Sequence, residues 1–240
     1  MRIFVAGGTG QVGSRLVAVL RAGGHVVTIG SRRSGVDVLT GRGLGAAVAG
    51  AEVVVDLLDV VETDEAPAVA FFRSTTERLL AAEQTVGVRH HLALSVVGAD
   101  RTRENGYYAG KVAQEDAVLD GDIPYTILRT TQFHEFLPTL ADRLTTDGIV
   151  CAPRTLLQPL ALDDVVSTLA ELTVQPAADR RIDLAGPRWH HLDDLLRATL
   201  ARRSDPRTVT TVLGEALGAE DPEALLPLGR HRIGPTPFPD

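Results

Sequence analysis

Three polar residues in the middle of the chain have the types and spacing that proton transfer requires. Tyr107 and Lys111 are four residues apart, so a helix through them would carry both side chains on one face. The lysine ammonium can then lower the pKa of the phenol, which is near ~10 when free, and let it exchange a proton with a carbonyl or alcohol. Ser95 ends an apolar run and can hydrogen-bond the same oxygen. We therefore predict a catalytic group of Tyr107, Lys111 and Ser95.

The N-terminal residues contain the parts of a phosphate-binding turn. An apolar run at 3–5 is followed by Gly7, Gly10 and Gly13 and then by an amphipathic stretch at 16–20. This order predicts a strand, a tight turn and a helix, whose free N–H groups and positive dipole end favour an anion. The glycines also let the backbone approach a pyrophosphate closely, so the pattern predicts a bound dinucleotide.

A basic turn follows the second predicted strand, at 25–30. Ser31, Arg32 and Arg33 follow this strand directly, at the position where a dinucleotide-binding parallel sheet meets the adenosine ribose. A carboxylate there favours NAD, whereas guanidinium groups suit the 2′-phosphate of NADP. The sequence therefore predicts NADP(H) as the cofactor.

The elements that carry these residues alternate between strands and helices. Strands are predicted at 25–30, 52–57, 91–95 and 125–128, and helices at 66–85 and 107–119. Such alternation predicts an α/β fold with a Rossmann-type doubly wound parallel sheet. We expect residues 1–147 to form the cofactor-binding core and residues 148–240 to form a small α/β substrate-binding annex packed on it.

The annex region is less regular, because many glycines and prolines divide it. We expect Asp163 or Asp164 to cap a helix that runs to Leu172. A second helix is expected at 191–202, a short strand at 208–213 and a loose tail at 235–240.

Charge and composition bear on the partners and the compartment. The chain has 24 Lys and Arg residues and 31 Asp and Glu residues, which gives a net charge of −7. No run of basic residues is interleaved with aromatic residues, so a nucleic-acid partner is disfavoured. No apolar run approaches the ~20 residues of a spanning helix, so no membrane partner is predicted. A single cysteine, Cys151, and the lack of a leader segment favour a cytoplasmic protein. We expect a monomer or homodimer that binds a small-molecule substrate.

The histidines do not have the spacing of a metal site. His90 and His91 are adjacent, and neighbours on a strand point to opposite faces, so no metal is predicted. His134 has two open interpretations: it lines the substrate crevice and assists proton transfer, or it is a polar position on a helix whose apolar residues pack inward. No G-x-S-x-G turn surrounds Ser95, which disfavours serine-hydrolase chemistry.

Together these motifs resemble the NmrA-like group of atypical short-chain dehydrogenase/reductases, over most of the chain. The resemblance also includes the stretches at 94–98, 111–115, 124–129 and 160–165. It implies an NADP-binding Rossmann core with a small C-terminal substrate region. The cofactor contacts that it implies are Gly7, Thr9, Gly10, Gln11, Val12, Arg32, Leu57 and Lys111. It further implies that Thr131, Gln132 and Phe133 border the nicotinamide and the substrate.

The resemblance leaves adenine recognition open. Residues 35–45 are short where many members of the group have a strand followed by an acidic residue against adenine.

Three functions follow from these observations. The first is an NADPH-dependent oxidoreductase that reduces a small carbonyl or quinone-like substrate by hydride transfer, with Tyr107 as proton donor. The second is an NADP(H)-sensing binding protein without turnover, like the NmrA-like members that lack the tyrosine and lysine. The third is an epimerase or dehydratase that retains its cofactor, although the short annex leaves little room for a sugar nucleotide. The presence of both Tyr107 and Lys111 favours an enzyme.

Overall fold

A computed structural model describes residues 1–102, 105–214, 216–219 and 221–239. The strands are β1 (Arg2–Ala6), β2 (Val26–Gly30), β3 (Val53–Asp56), β4 (His90–Val96), β5 (Tyr125–Thr130), β6 (Thr145–Thr146), β7 (Ile149–Pro153), β8 (Leu156–Leu157), β9 (Arg180–Ala185), β10 (His190–His191), β11 (Thr208–Val212) and β12 (Arg232–Ile233). The helices are α1 (Gln11–Ala22), α2 (Leu44–Val48), α3 (Glu65–Val86), α4 (Gly106–Leu119), α5 (Leu137–Arg143), α6 (Leu162–Val174) and α7 (Leu192–Arg202). The strands and helices predicted between residues 25 and 130 are present, with ends within two residues of the prediction.

The central sheet has the strand order β2-β1-β3-β4-β5-β9-β12 over the described residues, and all its pairs are parallel. This is the predicted α/β fold with a doubly wound sheet of Rossmann type. The chain runs outward from β1 to β2 and then returns to build the other half from β3, so the order reverses between β1 and β3. Ligands of such sheets bind at the carboxyl ends of the strands at this reversal.

Helices cover both faces of the sheet, as the nearly continuous apolar strands require. On one face, α1 and α6 pack on the strands through Leu16 and Leu169, which belong to the same buried cluster as Val5 and Leu128. On the opposite face, Leu79 of α3 belongs to a cluster that includes residues from α2, β1 and β3. In the described ranges, no helix combines the length and the apolar content that crossing a bilayer requires.

The region after residue 147 contributes to two parts of the fold. Strands β9 and β12 extend the central sheet, and α6 covers one of its faces, so the sheet continues past the boundary predicted for the core. The rest of the predicted annex forms α7, β7, β11 and the pair β10-β8, and it packs with α5 and β6, which precede residue 148. The helix predicted at 191–202 is α7, and the predicted strand at 208–213 is β11.

Two expectations for the C-terminal half are wrong. The N-cap of α6 is Ala161, so neither Asp163 nor Asp164 caps the helix. Asp164 instead accepts hydrogen bonds from the backbone N (2.9 Å) and the hydroxyl (3.0 Å) of Thr236. Phe238 packs against the annex core, so the tail predicted to be loose is held on the protein by residues far away in sequence.

Residues 35–45 form a turn rather than a further sheet strand. Asp37 and Arg42 make an isolated antiparallel bridge, and the chain then enters α2. Val36 and Val38 are buried in the cluster that also contains Phe4. Over the described residues β2 is therefore the edge of the sheet on this side, next to the predicted adenosine position.

Candidate active site

The glycine turn lies at the reversal of the sheet, and steric contacts explain its residue types. Gly7 has a φ of +73°, and a Cβ on it would lie 2.5 Å from the backbone oxygen of Leu57. A Cβ on Gly13 would lie 2.3 Å from the backbone oxygen of Gly7, so α1 packs directly on the turn. Gly10 is the N-cap of α1 and has no side chain to occupy the helix N–H groups. The turn therefore has the shape and the exposed donors of a phosphate cradle.

A cavity of about 460 Å³ extends from this turn across the carboxyl ends of β1, β3, β4 and β5. The predicted site residues that line it are Gly7, Gly10, Gln11, Val12, Gly13, Leu57, Ser95, Tyr107, Lys111, Thr131, Gln132 and Phe133. Among the described residues, Thr9, Ser31, Arg32, Arg33 and His134 are predicted site residues that do not line this cavity. Most of the predicted catalytic, cofactor and substrate residues therefore meet in one space.

Close packing between two helices positions Tyr107 and Lys111. A Cβ on Gly106 would lie 2.4 Å from the backbone carbon of Asp64, and one on Gly110 would lie 2.5 Å from the ring of Phe72. The two glycines let α4 lie directly against α3 at both points, and each precedes a candidate site residue. The N-cap of α4 is Asn105, whose side-chain oxygen accepts from the backbone N of Tyr107 at 3.0 Å.

Lys111 points from α4 into the inner wall of the cavity and is 4% exposed. Its Nζ donates to the backbone oxygen of Leu94 at 3.1 Å and to Oε1 of Gln114 at 3.1 Å. The ammonium lies 4.4 Å from the ring centroid of Phe72 and 5.9 Å from that of Tyr107. Burial lowers the pKa of Lys111, while nearby carboxylates favour its charged form. One of the three N–H donors of the ammonium is left for a ligand or for the phenol.

The phenol of Tyr107 has a pKa well above its ordinary value, contrary to the prediction that Lys111 would lower it. Burial is the largest cause, and the charge and hydrogen bonding of the Asp59 carboxylate act in the same direction. Asp59 lies in the loop after β3 and lines the cavity. Sequence reasoning missed this residue, although an acid at the carboxyl end of a central strand was a usable signal.

The Ser95 side chain points toward a buried ionic cluster rather than toward the phenol. Its hydroxyl donates to Glu115 at 2.5 Å. Glu115 also binds Arg129 through two bonds of 2.7 Å and Arg181 at 2.6 Å. The buried Arg129 guanidinium needs a carboxylate partner, and the Ser95 hydroxyl adds a further hydrogen bond to that carboxylate. In this arrangement Ser95 is not oriented to hold the oxygen that Tyr107 would protonate, which is the role we predicted for it.

A tight turn presents the predicted NADP-selective residues after β2. Ser31 and Ser34 form a reciprocal capping box, with bonds of 3.0 and 3.2 Å between each backbone N and the other side chain. Arg32 and Arg33 lie within this turn and are exposed, and neither forms an ion pair with any residue in the described ranges. Ser31 thus shapes the turn, and the two guanidinium groups are accessible.

The segment after β5 forms the far wall of the cavity. Thr131 donates to the backbone oxygen of Gln158 at 2.6 Å, which ties the segment to the annex. Phe133 lines the cavity, whereas the ring of His134 packs edge-on against Phe238, with centroids 5.3 Å apart. Burial lowers the pKa of His134. This placement matches the packing interpretation of His134 rather than the catalytic one.

The histidine pairs lie outside any cluster that could hold a metal ion in the part of the chain that the structure describes. Within the residues that the structure describes, no group of three or more His, Cys, Asp or Glu side chains is arranged to hold a metal ion. His91 instead binds Glu83 at 2.8 Å, and both side chains are fully buried.

Comparison with known proteins shows the fold. No protein-family model and no curated protein matches the chain. The UDP-glucose 4-epimerase of Thermus thermophilus in complex with NAD is 18% identical, with a TM-score of 0.72 over 94% of this chain and 92% of that one. A short-chain dehydrogenase/reductase superfamily protein from Agrobacterium tumefaciens with bound NAD is 19% identical, with a TM-score of 0.70 over 91% and 87%. The Bordetella bronchiseptica enzyme WbmG in complex with NAD and UDP is 18% identical, with a TM-score of 0.71 over 93% and 86%.

Proposed function

We propose that the chain binds NADP(H) and uses it to reduce a small carbonyl compound, with Tyr107 as the proton donor. The observation that carries this proposal is the cavity that joins the glycine turn to Tyr107 and Lys111. Short-chain dehydrogenase/reductase chemistry requires a dinucleotide next to an acid–base group, and this cavity brings the glycine turn and the acid–base candidates together.

The glycine turn fits the phosphates of a dinucleotide. Gly7 and Gly13 leave space that a Cβ would fill, and α1 begins at Gly10 with no side-chain cap. We assign the backbone N–H groups of Gln11, Val12 and Gly13 to the pyrophosphate. Lys111 has one free donor, which suits a ribose hydroxyl.

The preference for NADP(H) rests on the turn after β2. Arg32 and Arg33 are exposed there, and a 2′-phosphate is a matching partner for a guanidinium group. The three structures compared above have NAD bound, so this part of the proposal depends on the residues of this chain alone. A ratio of NADPH to NADH affinity measured by fluorescence titration tests it. Equal affinities would refute the preference.

Tyr107 suits proton donation more than proton abstraction. Because burial and Asp59 hold its pKa high, the phenol stays protonated at neutral pH. A bound nicotinamide would supply the hydride to the carbonyl carbon in such a reduction. Tyr107 then gives its proton to the substrate oxygen, which gains negative charge, and the nearby Lys111 ammonium stabilises the phenolate that is left.

The apolar part of the cavity wall supports a compact, largely apolar substrate. Apolar side chains from four regions line the cavity that Tyr107 enters, namely Val60, Val61, Val96, Phe133, Phe136 and Leu217. A carbonyl carbon with apolar substituents fits this lining better than a polyhydroxylated one does.

Replacing Tyr107 by Phe tests the proton-donor role. We expect carbonyl-dependent oxidation of NADPH to fall by at least about 100-fold while NADPH affinity is kept, because only the proton source is removed. Tyr125→Phe is the matched control, since Tyr125 begins β5 away from the cavity. Full turnover by Tyr107→Phe would refute the assignment. Binding without any turnover in the native protein would favour a dinucleotide-responsive binding protein instead.

A second candidate is an epimerase or dehydratase that keeps its cofactor through the cycle. The shared fold with the UDP-glucose 4-epimerase favours it, and this chain spans 92% of that structure, so the short annex is a weaker objection than the sequence indicated. Such an enzyme should be purified with cofactor bound and should convert substrate with no net oxidation of NADPH. Mass spectrometry of the released cofactor and a stoichiometric assay separate the two functions.

A further inference from the structure

The side chain that holds Lys111 in place is itself held by a buried carboxylate. Gln114 is 1% exposed, and both ends of its amide are bonded. Its Oε1 accepts from the Lys111 ammonium at 3.1 Å, and its Nε2 donates to Oδ2 of Asp56 at 2.9 Å. Only with Oε1 toward Lys111 and Nε2 toward Asp56 can the amide accept a hydrogen bond from the cation and donate one to the anion.

Asp56 ends β3 and has no exposed surface. Its other contacts come from the backbone N of Leu58 at 3.0 Å and the hydroxyl of Thr76 at 3.4 Å. All of these partners are neutral, so the cation nearest to the carboxylate along its hydrogen bonds is Lys111. A buried carboxylate is costly without such compensation, and a buried ammonium equally so.

We propose that Asp56 and Gln114 are positioning residues, which hold the Lys111 ammonium charged and directed along the cavity wall beneath Tyr107. The role in catalysis rests on the proposed function, whereas the effect on Lys111 does not. Asp56 and Gln114 touch neither substrate nor cofactor in this scheme; they act through Lys111. The alternative is that Gln114 only packs α4 onto β3.

The groups that face Lys111 define what a pH titration of it reports. The charged or titratable ones are Asp56 of β3, Asp59 in the following loop, and Tyr107 and Glu115 on its own helix. Strand β4 presents the backbone oxygen of Leu94, and α3 presents the ring of Phe72. Changes at Gln114 and Asp56 leave the other charged groups in place.

The sequence makes this titration unusually direct, because Lys111 is the only lysine among the 240 residues. Protein labelled with ¹³C in its lysine side chains therefore gives one set of side-chain signals, and their pH dependence reports Lys111 without any cofactor. Gln114→Met keeps the size of the side chain and removes both bonds. Gln114→Glu keeps the bridge and its single negative charge, because the new carboxyl group and Asp56 share one proton. Asp56→Asn removes the charge at the end of the bridge.

We expect the Lys111 midpoint to fall by about one pH unit or more in Gln114→Met and Asp56→Asn and to return to or exceed the native value in Gln114→Glu. Gln158→Met is the control, because Gln158 is a partly buried glutamine that binds Gly186 outside the cavity. Unchanged midpoints in the folded Gln114→Met and Asp56→Asn proteins would overturn the proposal. If Gln114→Met does not fold, Asp56→Asn decides.

A second measurement separates this proposal from the proposed function. NADPH affinity should weaken by about tenfold in Gln114→Met, and Gln114→Glu should recover it. If native protein binds no NADPH but the Lys111 midpoint shifts as expected, the proposed function fails and the positioning role stands. If native protein binds NADPH but the midpoint does not shift, the positioning role fails alone.

Discussion

The tightest glycine contact in the turn predicts a specific defect in the variant Gly13→Ala. Gly13 lies in the first turn of α1, and its added Cβ would stand 2.3 Å from the backbone oxygen of Gly7 and 2.8 Å from Cα of Gly8. Real Cβ atoms essentially never approach closer than 3.0 Å, and both neighbours are backbone atoms, so the turn and the helix must separate by about 0.7 Å.

The size of the effect follows from two opposing contributions. Overpacking of this kind costs about 1–3 kcal/mol, and the helix preference of alanine over glycine returns up to about 1 kcal/mol. We expect a net loss of about 1–2 kcal/mol in the free energy of unfolding, which lowers the Tm by about 2–8 °C for a chain of this size. The displaced N–H groups should also lose about one hydrogen bond to the charged pyrophosphate, which weakens NADPH binding about 10- to 100-fold.

Gly45→Ala is the matched control for this variant. Gly45 lies in the first turn of α2, and a Cβ there would meet nothing within 4 Å. Alanine at this position should raise the stability by up to about 1 kcal/mol and leave NADPH binding unchanged. Urea unfolding and a fluorescence titration with NADPH measure both effects. If Gly13→Ala were as stable as Gly45→Ala and bound NADPH normally, the steric explanation of the turn would be wrong.

Three further changes test the buried charges and the tail. Glu115→Gln should lower the stability by about 3–5 kcal/mol in urea unfolding, because the buried Arg129 loses its buried carboxylate partner. Against the opposing effect of burial, hydrogen bonds and the charge of Arg129 hold the pKa of Glu115 below its ordinary value, so the native protein should lose this advantage as the pH falls into the acid range. Burial lowers the pKa of His90 from 6.5 to about 4, so as the pH falls the unfolded chain takes up a proton at this residue before the native protein does. The native protein should therefore lose stability between pH 6.5 and 4, and His90→Gln should lose less. Identical pH profiles of stability for the two proteins would contradict the assignment. Phe238→Ala should lower the Tm by a few degrees, whereas an unchanged melting curve would mean that the tail contributes nothing to stability.

The parts of the fold that local patterns determine were predictable. The apolar strands and the glycine turn have short-range signatures, and the pair Tyr107 and Lys111 needs only the four-residue spacing of a helix. Contacts between distant segments were not predictable in this way. Asp164 and Thr236 are 72 residues apart in sequence. The proline-rich sequence around Thr236 gives no sign that Thr236 hydrogen-bonds to Asp164.

The candidate site shows the same limit. Ser95 has the right type and the right place at a strand end, but its direction depends on Glu115, twenty residues later, and on two arginines that need the same carboxylate. The pKa of Tyr107 likewise depends on Asp59, which reaches the phenol only after β3 and α4 have come together. Such effects are sums over tertiary neighbours, and residue spacing carries no information about them.

The direct packing of α4 on α3 at Gly106 and Gly110 has a consequence for how the protein opens. Ligand-binding loops and active-site lids usually unfold locally at low free energy, but the proposed catalytic residues Tyr107 and Lys111 lie on a helix that packs closely against another at two glycines. The backbone amides of α4 should therefore exchange their hydrogens mainly through global unfolding, while the loop between β3 and α3 exchanges through small local openings. Binding of a dinucleotide would then slow exchange in that loop and leave α4 almost unaffected, so the chemistry would be performed by the most rigid part of the site.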